Sequence, residues 1–468
     1  MADPLWTSEE IARATGGQAN GGFTAGGVSI DTRTLEPGDL FVALAGVRDG
    51  HEFVAQALAK GAAGALVSRD VGGPAVKVAD TQSALEALGA AARERAGGAR
   101  RAAVTGSVGK TSTTQAIMAG LTLAGPAHSS VKSYNNHIGV PLTLARMPAA
   151  TARAVFEVGM NHANEIRPLT RMVRPHVALV TTVGPVHTEN FPDGEAGVAR
   201  AKAEIFEGLE PGGVAVLNAD NRWFDVLAAA ARAAGAQIRT FGSADGCDAR
   251  LIDFQAAGGH AVVQARLDGK AMDFPILQTG LHWGLNAMAV LLVLQAMDVD
   301  LDKSLAALGS FEPLAGRGAE REVALADGGG FTLIDESYNA NPISMASAIA
   351  TLGARRSQGR RIVALTDMLE LGPEAVAFHA GLAEPLAAAS IDLVFCAGPL
   401  MKSLWDALPS TRRGGYAETA AALASQVAGA VQAGDVVMVK GSNGSKAGLV
   451  AEALAALGSA AAGHGEAR

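Results

Sequence analysis

The chain has 468 residues, 49% of them hydrophobic and 18% charged, with 38 basic against 46 acidic side chains and a net charge of −8. At roughly 150 residues per domain the length suggests about three domains, and the apolar content excludes a disordered chain. The acidic balance excludes nucleic-acid binding by bulk charge, and two cysteines, Cys247 and Cys396, exclude a disulfide framework and fit a reducing cytosol.

The opening MADPLWTSEE has neither a basic segment nor an apolar core, so no signal peptide is expected. Residues 1–97 mix helices with short strands, Ser29 to Arg33, Asp39 to Leu44 and Ala65 to Ser68. A helix from Thr81 to Ala96 then stops at Gly97-Gly98, a domain boundary.

From Arg100 the pattern becomes buried strand followed by helix. Ala102 to Thr105 leads into a helix from Lys110 to Leu123, and Ala154 to Val158, Val177 to Thr182 and Val214 to Asn218 are further apolar strands. Such runs alternating with helices predict a parallel sheet covered on both faces. Ala249 to Ile276 reads as antiparallel strands, followed by an apolar helix from Trp283 to Met297. The longest strongly apolar run in it, Ala287 to Leu294, is eight residues. A bilayer span needs about twenty, so no membrane insertion is expected.

After Pro313 a second doubly wound unit is predicted. Its strands are Phe331 to Ile334, Ile362 to Leu365, Leu393 to Cys396 and Val436 to Val439, with helices starting near Ile343, Ala375, Thr419 and Lys446. The Ala- and Gly-rich tail from Gly458 to Arg468 reads as frayed.

The strongest local signal is Thr105-Gly106-Ser107-Val108-Gly109-Lys110-Thr111-Ser112, between a buried strand and a helix. Glycines let the backbone aim N–H groups at phosphate oxygens, the helix start adds positive charge, and the lysine and threonine suit terminal phosphates and Mg²⁺. The full phosphate-loop pattern would have glycine where this chain has Val104, leaving the shorter G-x-x-G-K-[ST]. Lys440-Gly441-Ser442-Asn443-Gly444-Ser445-Lys446 also follows a strand but lacks Lys-Thr at the helix start, so it is either a structural turn or an auxiliary ligand contact.

Glu157 ends an apolar strand, where a carboxylate is costly unless paired or metal-bound. It is a candidate Mg²⁺ ligand beside Thr111, or a carboxylate satisfied by local hydrogen bonds. His187 follows another strand end and divides evenly between ligand and structural histidine. Lysines number only ten against 28 arginines, yet by spacing alone Lys202 reads as a solvated helix-face residue. Gly316-Arg317-Gly318 and Asp335-Glu336-Ser337-Tyr338-Asn339-Ala340-Asn341-Pro342 are polar clusters at the mouth of the third unit, either turn and cap chemistry or ligand contacts.

Taken together, these residues resemble the Mur ligase family over nearly the whole chain. The resemblance implies three α/β domains: a small UDP-substrate domain (1–97), a central P-loop ATPase-like parallel-sheet domain (98–313), and a C-terminal Rossmann-like domain (314–468) that binds an incoming dipeptide. Ser29, Asp31, Thr32 and Arg33, with Asn135 and Asn136 of the run Asn135 to Pro141, are similar to the family's UDP-substrate contacts. Gly106 to Ser112 matches its ATP loop, and Arg317 and Asp335 match ATP contacts. Thr111, Glu157 and His187 fall on its magnesium site, and Lys202 on a lysine often carried as a carbamate. With Lys110, the last three make up the implied catalytic set. The family often reads His-Asn-x-x-Asn where this chain has His282-Trp283-Gly284-Leu285-Asn286. Asn286 is retained as an implied nucleotide contact, while Trp283 replaces the first asparagine.

The run Glu336 to Pro342 resembles the branch that adds D-alanyl-D-alanine to UDP-N-acetylmuramoyl-tripeptide, with Ser337, Tyr338, Asn339 and Asn341 at the acceptor. That branch implies ATP and Mg²⁺ as cofactors, an acyl-phosphate intermediate, and a cytoplasmic monomer in peptidoglycan precursor synthesis. The alternatives are a diaminopimelate- or lysine-adding ligase or folylpolyglutamate synthetase of the same fold, and a P-loop nucleotide-binding regulatory module.

Overall fold

The computed structural model describes residues 4–465 apart from 47, 132, 258, 327 and 356; for 257 and 459–465 it describes the backbone alone. Besides a two-stranded pairing of Trp6–Thr7 with Thr24–Ala25, three larger sheets of the described residues succeed one another along the chain. The first runs in space Gln18–Asn20, Ala75–Lys77, Gly64–Val67, Asp39–Val42, Gly27–Ser29, parallel except for its first strand. The strand expected from Ser29 to Arg33 in fact stops at Ser29. Asp31 Oδ1 accepts from Arg33 N at 2.9 Å, and this side-chain turn ends the pairing. The helix Thr81–Arg95 is capped by Asp80, whose Oδ1 accepts from Ser83 N at 2.7 Å. Its Leu85 and Leu88 share a core with Leu142 and Ala145 of the helix Gly139–Ala145, which ties the first unit to the second.

The central sheet has nine strands. In spatial order they are Lys270–Ile276, His260–Leu267, Ala249–Ala257, Gln237–Gly242, Val214–Asn218, Val177–Val180, Arg100–Thr105, Arg153–Glu157 and Ala127–Ser129. The last seven are parallel, and the first two extend the sheet antiparallel, as the 249–276 pattern predicts. Successive side chains enter opposite layers. Ala102, Val104, Val177, Leu179 and Val216 pack with the helix His282–Ala296, while Ala103, Ala178, Val180, Ala215 and Leu217 pack on the other face. Trp283 is buried there, its ring 5.7 Å from that of Phe311.

In the third sheet the order is Ala319–Ala324, Gly330–Glu336, Val436–Lys440, Arg361–Thr366, Leu393–Ala397, Arg413–Ala417, parallel except at the first strand. The final helix runs Gly448–Gly465, so most of the tail read as frayed is helical; residues 466–468 lie outside the described residues. Among the described residues no helix is long and apolar enough to cross a membrane.

Candidate active site

Three neighbouring parallel strands deliver the site. Arg100–Thr105 leads into the phosphate loop, Glu157 ends the strand on one side of it, and the segment 181–187 leaves the strand on the other side. All three lie at the carboxyl edge of the sheet, where parallel sheets place ligand groups. The loop is held from beneath. Ser107 N donates to Thr182 O at 2.8 Å, Ser107 Oγ to Gly184 O at 3.1 Å, and Thr181 Oγ1 to Val108 O at 2.6 Å. Gly106 has φ 151°, and a Cβ there would fall on Thr181 Oγ1. Gly109, at φ 84°, starts the helix Lys110–Ala124, and the Asn286 amide lies beneath it, 3.4 Å from where a Cβ would stand.

Lys110 Nζ donates to Gly106 O at 2.8 Å. Its pKa is lowered by burial, with Glu157 opposing and Arg317 adding to the shift. Thr111 Oγ1 lies 2.8 Å from Ser133 Oγ and accepts from Arg317 Nη2 at 3.1 Å. That second bond joins the third unit to the phosphate loop, and the Arg317 guanidinium sits 4.1 Å above the Tyr338 ring.

Glu157 is 2% exposed. Its Oε1 accepts from Asn135 Nδ2 at 2.7 Å, whereas Oε2 is buried without a hydrogen-bond partner among the described residues. Burial, reinforced by Lys110 and Lys202, depresses the His187 pKa to about 4, so the ring is a neutral donor at physiological pH. An orphaned carboxylate oxygen and a neutral imidazole lining one cavity fit a divalent cation. Two protein ligands suffice for Mg²⁺, which keeps waters and takes phosphate oxygens.

Lys202 is 2% exposed in the helix Glu195–Ala203, which corrects the reading of a solvated helix face. Its pKa is pushed well below the ordinary lysine value by burial and then by Lys110. Burial of this kind favours the uncharged amine, which is a nucleophile rather than a counter-ion.

A cavity of about 240 Å³ gathers the loop from Ser107 to Ser112 with Ser133, Asn135, Glu157, His187, Arg317, Tyr338, Asn339 and Asn341. The model matches follow this geometry along the chain: "Mur ligase family, catalytic domain" over residues 24–95, "Mur ligase middle domain" over 104–294, and "Mur ligase, glutamate ligase domain" over 322–443. A UDP-N-acetylmuramoyl-tripeptide–D-alanyl-D-alanine ligase of Escherichia coli is 35% identical over 84% of this chain and 86% of that protein. The chain belongs to the Mur ligase family. Within it the chain is most like MurF: the Acinetobacter baumannii MurF crystal structure superposes with a TM-score of 0.84 at 28% identity, covering 96% of this chain and 99% of that one. The Rickettsia prowazekii ligase of the same name is 28% identical over 94% of this chain and 98% of its own length.

Not every expected residue of this Mur ligase lines the cavity. Asp335 lies behind it, its Oδ1 accepting from Ser337 N at 3.1 Å and from Ser337 Oγ at 2.6 Å, so both residues are set back from the wall. Asn136 Oδ1 accepts from Ile138 N and Gly139 N and so closes the turn that enters the helix Gly139–Ala145. Asn341 lines the cavity yet also caps the helix Pro342–Ala354, reciprocally with Ser344. The N-terminal group stays apart from the cavity. Ser29 Oγ bonds Asp31 O, Arg33 pairs with Asp31 at 2.6 Å, and Thr32 Oγ1 donates to Gln56 Oε1.

Sequence reasoning passed over Ser133 and named Glu336 and His282 only within longer runs, without a role of their own; all three are in the cavity wall. Glu336 and Lys440 end adjacent parallel strands in register, and Lys440 Nζ donates to Glu336 Oε2 and Asn339 O, each at 3.1 Å. The first residue of the second lysine loop thus braces the acceptor-like run and also lines the cavity. The signal for it was a charged residue closing each of two apolar strands.

Proposed function

We propose that this Mur ligase joins D-alanyl-D-alanine to UDP-N-acetylmuramoyl-tripeptide with cleavage of ATP to ADP and phosphate. The observation that carries this reading is the Arg317–Thr111 bond, which places the run Glu336 to Asn341 against a phosphate-binding loop in one cavity. A carboxylate and an ammonium do not condense in water without activation. The tripeptide carboxylate attacks the γ-phosphorus, ADP leaves, and the dipeptide amine displaces phosphate from the acyl phosphate.

The protein's part is alignment, charge screening and exclusion of water. Backbone N–H groups from Gly109 to Thr111 and the Lys110 ammonium face the phosphates. Arg317 screens charge from the third unit, and Asn339, held by Lys440, with Tyr338 lines the acceptor side. Asn286 supports the loop at Gly109 on the nucleotide side, and Asp335 acts from behind the cavity wall through Ser337. Ser29, Asp31, Thr32, Arg33 and Asn135 belong to the UDP-substrate path. Mg²⁺, held by Glu157, His187 and Thr111, with Lys202 as a carbamate, would supply charge neutralisation on the phosphates. Residues 1–97, 98–313 and 314–468 act as three substrate-bearing domains of a cytoplasmic monomer.

An acceptor panel tests the reading. With UDP-N-acetylmuramoyl-tripeptide present, phosphate release should depend on D-alanyl-D-alanine and not on diaminopimelate, lysine or glutamate. Release with one of those amino acids instead moves the chain to another branch, and ATP binding without acceptor-dependent release makes it a regulatory module.

A further inference from the structure

His187 and Glu370 face one another across the boundary between the central and C-terminal units. His187 follows the strand Val177–Val180, and Glu370 follows Arg361–Thr366. Both have left-handed backbones, φ 58° and 61°, which residues with side chains rarely adopt and which cluster at functional sites. His187 Nδ1 lies 2.8 Å from Glu370 Oε2. The approach is off the hydrogen-bonding direction, and buried Nδ1 has no other partner among the described residues. A small turn of the ring completes the bond.

Two close approaches beside the pair set the units against each other. A Cβ on Gly372 would stand 2.9 Å from Glu189 Cβ, and one on Gly184 would fall on Ile343 Cδ1. The contact surface therefore carries Glu370 to His187 as the C-terminal unit docks. The other charged groups acting on His187, Lys110, Lys202, Glu165 and His162, all belong to the central unit.

We propose that Glu370 is a positioning residue for His187: its carboxylate accepts a hydrogen bond from Nδ1–H and fixes the ring so that Nε2 faces the cavity, making the cation site complete only when the C-terminal unit is docked. Ligand imidazoles are oriented in this way by a carboxylate on the far nitrogen. The proposal rests on the reading of His187 as a cation ligand.

The test measures Mn²⁺ affinity of the full chain by electron paramagnetic resonance, with a non-hydrolysable ATP analogue bound. Glu370→Ala should weaken Mn²⁺ binding about tenfold, and Glu370→Gln, which keeps an acceptor oxygen, should recover most of the loss. Metal-free affinity for the analogue should not change. Equal Mn²⁺ affinity in Glu370→Ala and the parent chain overturns the proposal, including where the variant melts earlier, since a merely structural residue would do that. His187→Ala separates the two claims: if it binds Mn²⁺ like the parent chain, the ligand reading falls first and the positioning role with it.

Discussion

Replacing Gly106 with alanine tests the phosphate loop through its own geometry. At φ 151° a residue with a side chain is strained by about 1–3 kcal/mol. The new methyl also falls on Thr181 Oγ1, whose hydroxyl donates to Val108 O at 2.6 Å in a buried setting. Displacing it leaves that polar pair unmade, for about another 1–3 kcal/mol. The loop can relax by abandoning its phosphate-binding shape, so the cost of about 2–6 kcal/mol falls on nucleotide affinity. ATP should bind at least about 30-fold more weakly by calorimetry. In a Thr181→Ala background the clash with the hydroxyl is removed, while Cβ of residue 181 at 3.1 Å and Thr182 N at 3.2 Å stay close, so the penalty for Gly106→Ala should shrink by about half. A change in affinity below threefold, or an equal penalty in both backgrounds, refutes the reasoning.

Four further outcomes are expected. Lys110→Ala should abolish ligation while circular dichroism stays unchanged; normal turnover would reject the phosphate-loop assignment. Lys202→Ala should be severely impaired and recover in part with added short carboxylates, whereas no rescue together with an unmodified lysine by mass spectrometry argues against a carbamate. In carbonate-free buffer, unfolded Lys202 takes up its proton at a higher pH than folded Lys202, so stability should rise as pH climbs toward the ordinary value of 10.5. Lys202→Met should flatten that slope, and an unchanged slope contradicts the burial argument. Asn341→Ala should lower stability by about 1 kcal/mol through its helix cap, while Asn339→Ala should raise the dipeptide KM more than the ATP KM; the reverse split would remove Asn339 from the acceptor side.

What the sequence disclosed was local. Strong apolar runs such as Val177 to Val180 and the glycines around Lys110 carry their own period and turn chemistry, so the parallel sheet and its phosphate loop were readable. Ala127–Ser129 was not, because three half-buried residues at a sheet edge have no period to detect. Glu336 and Lys440 are 104 positions apart, and only strand register brings them together. Lys202 looked exposed because a helix-face pattern does not reveal which neighbours cover it. The two asparagines Asn136 and Asn341 show the converse: a polar run contains turn and helix-cap groups as well as ligand groups, and only the hydrogen-bond partners separate them.

The transfer of phosphate to a peptide acid before amide formation is the centre of the account, and oxygen labelling reads it directly. With both oxygens of the tripeptide's reacting carboxylate labelled as ¹⁸O, the released phosphate should carry one labelled oxygen and the new amide should retain the other. Phosphate free of label, with ligation still proceeding, would contradict the acyl-phosphate route.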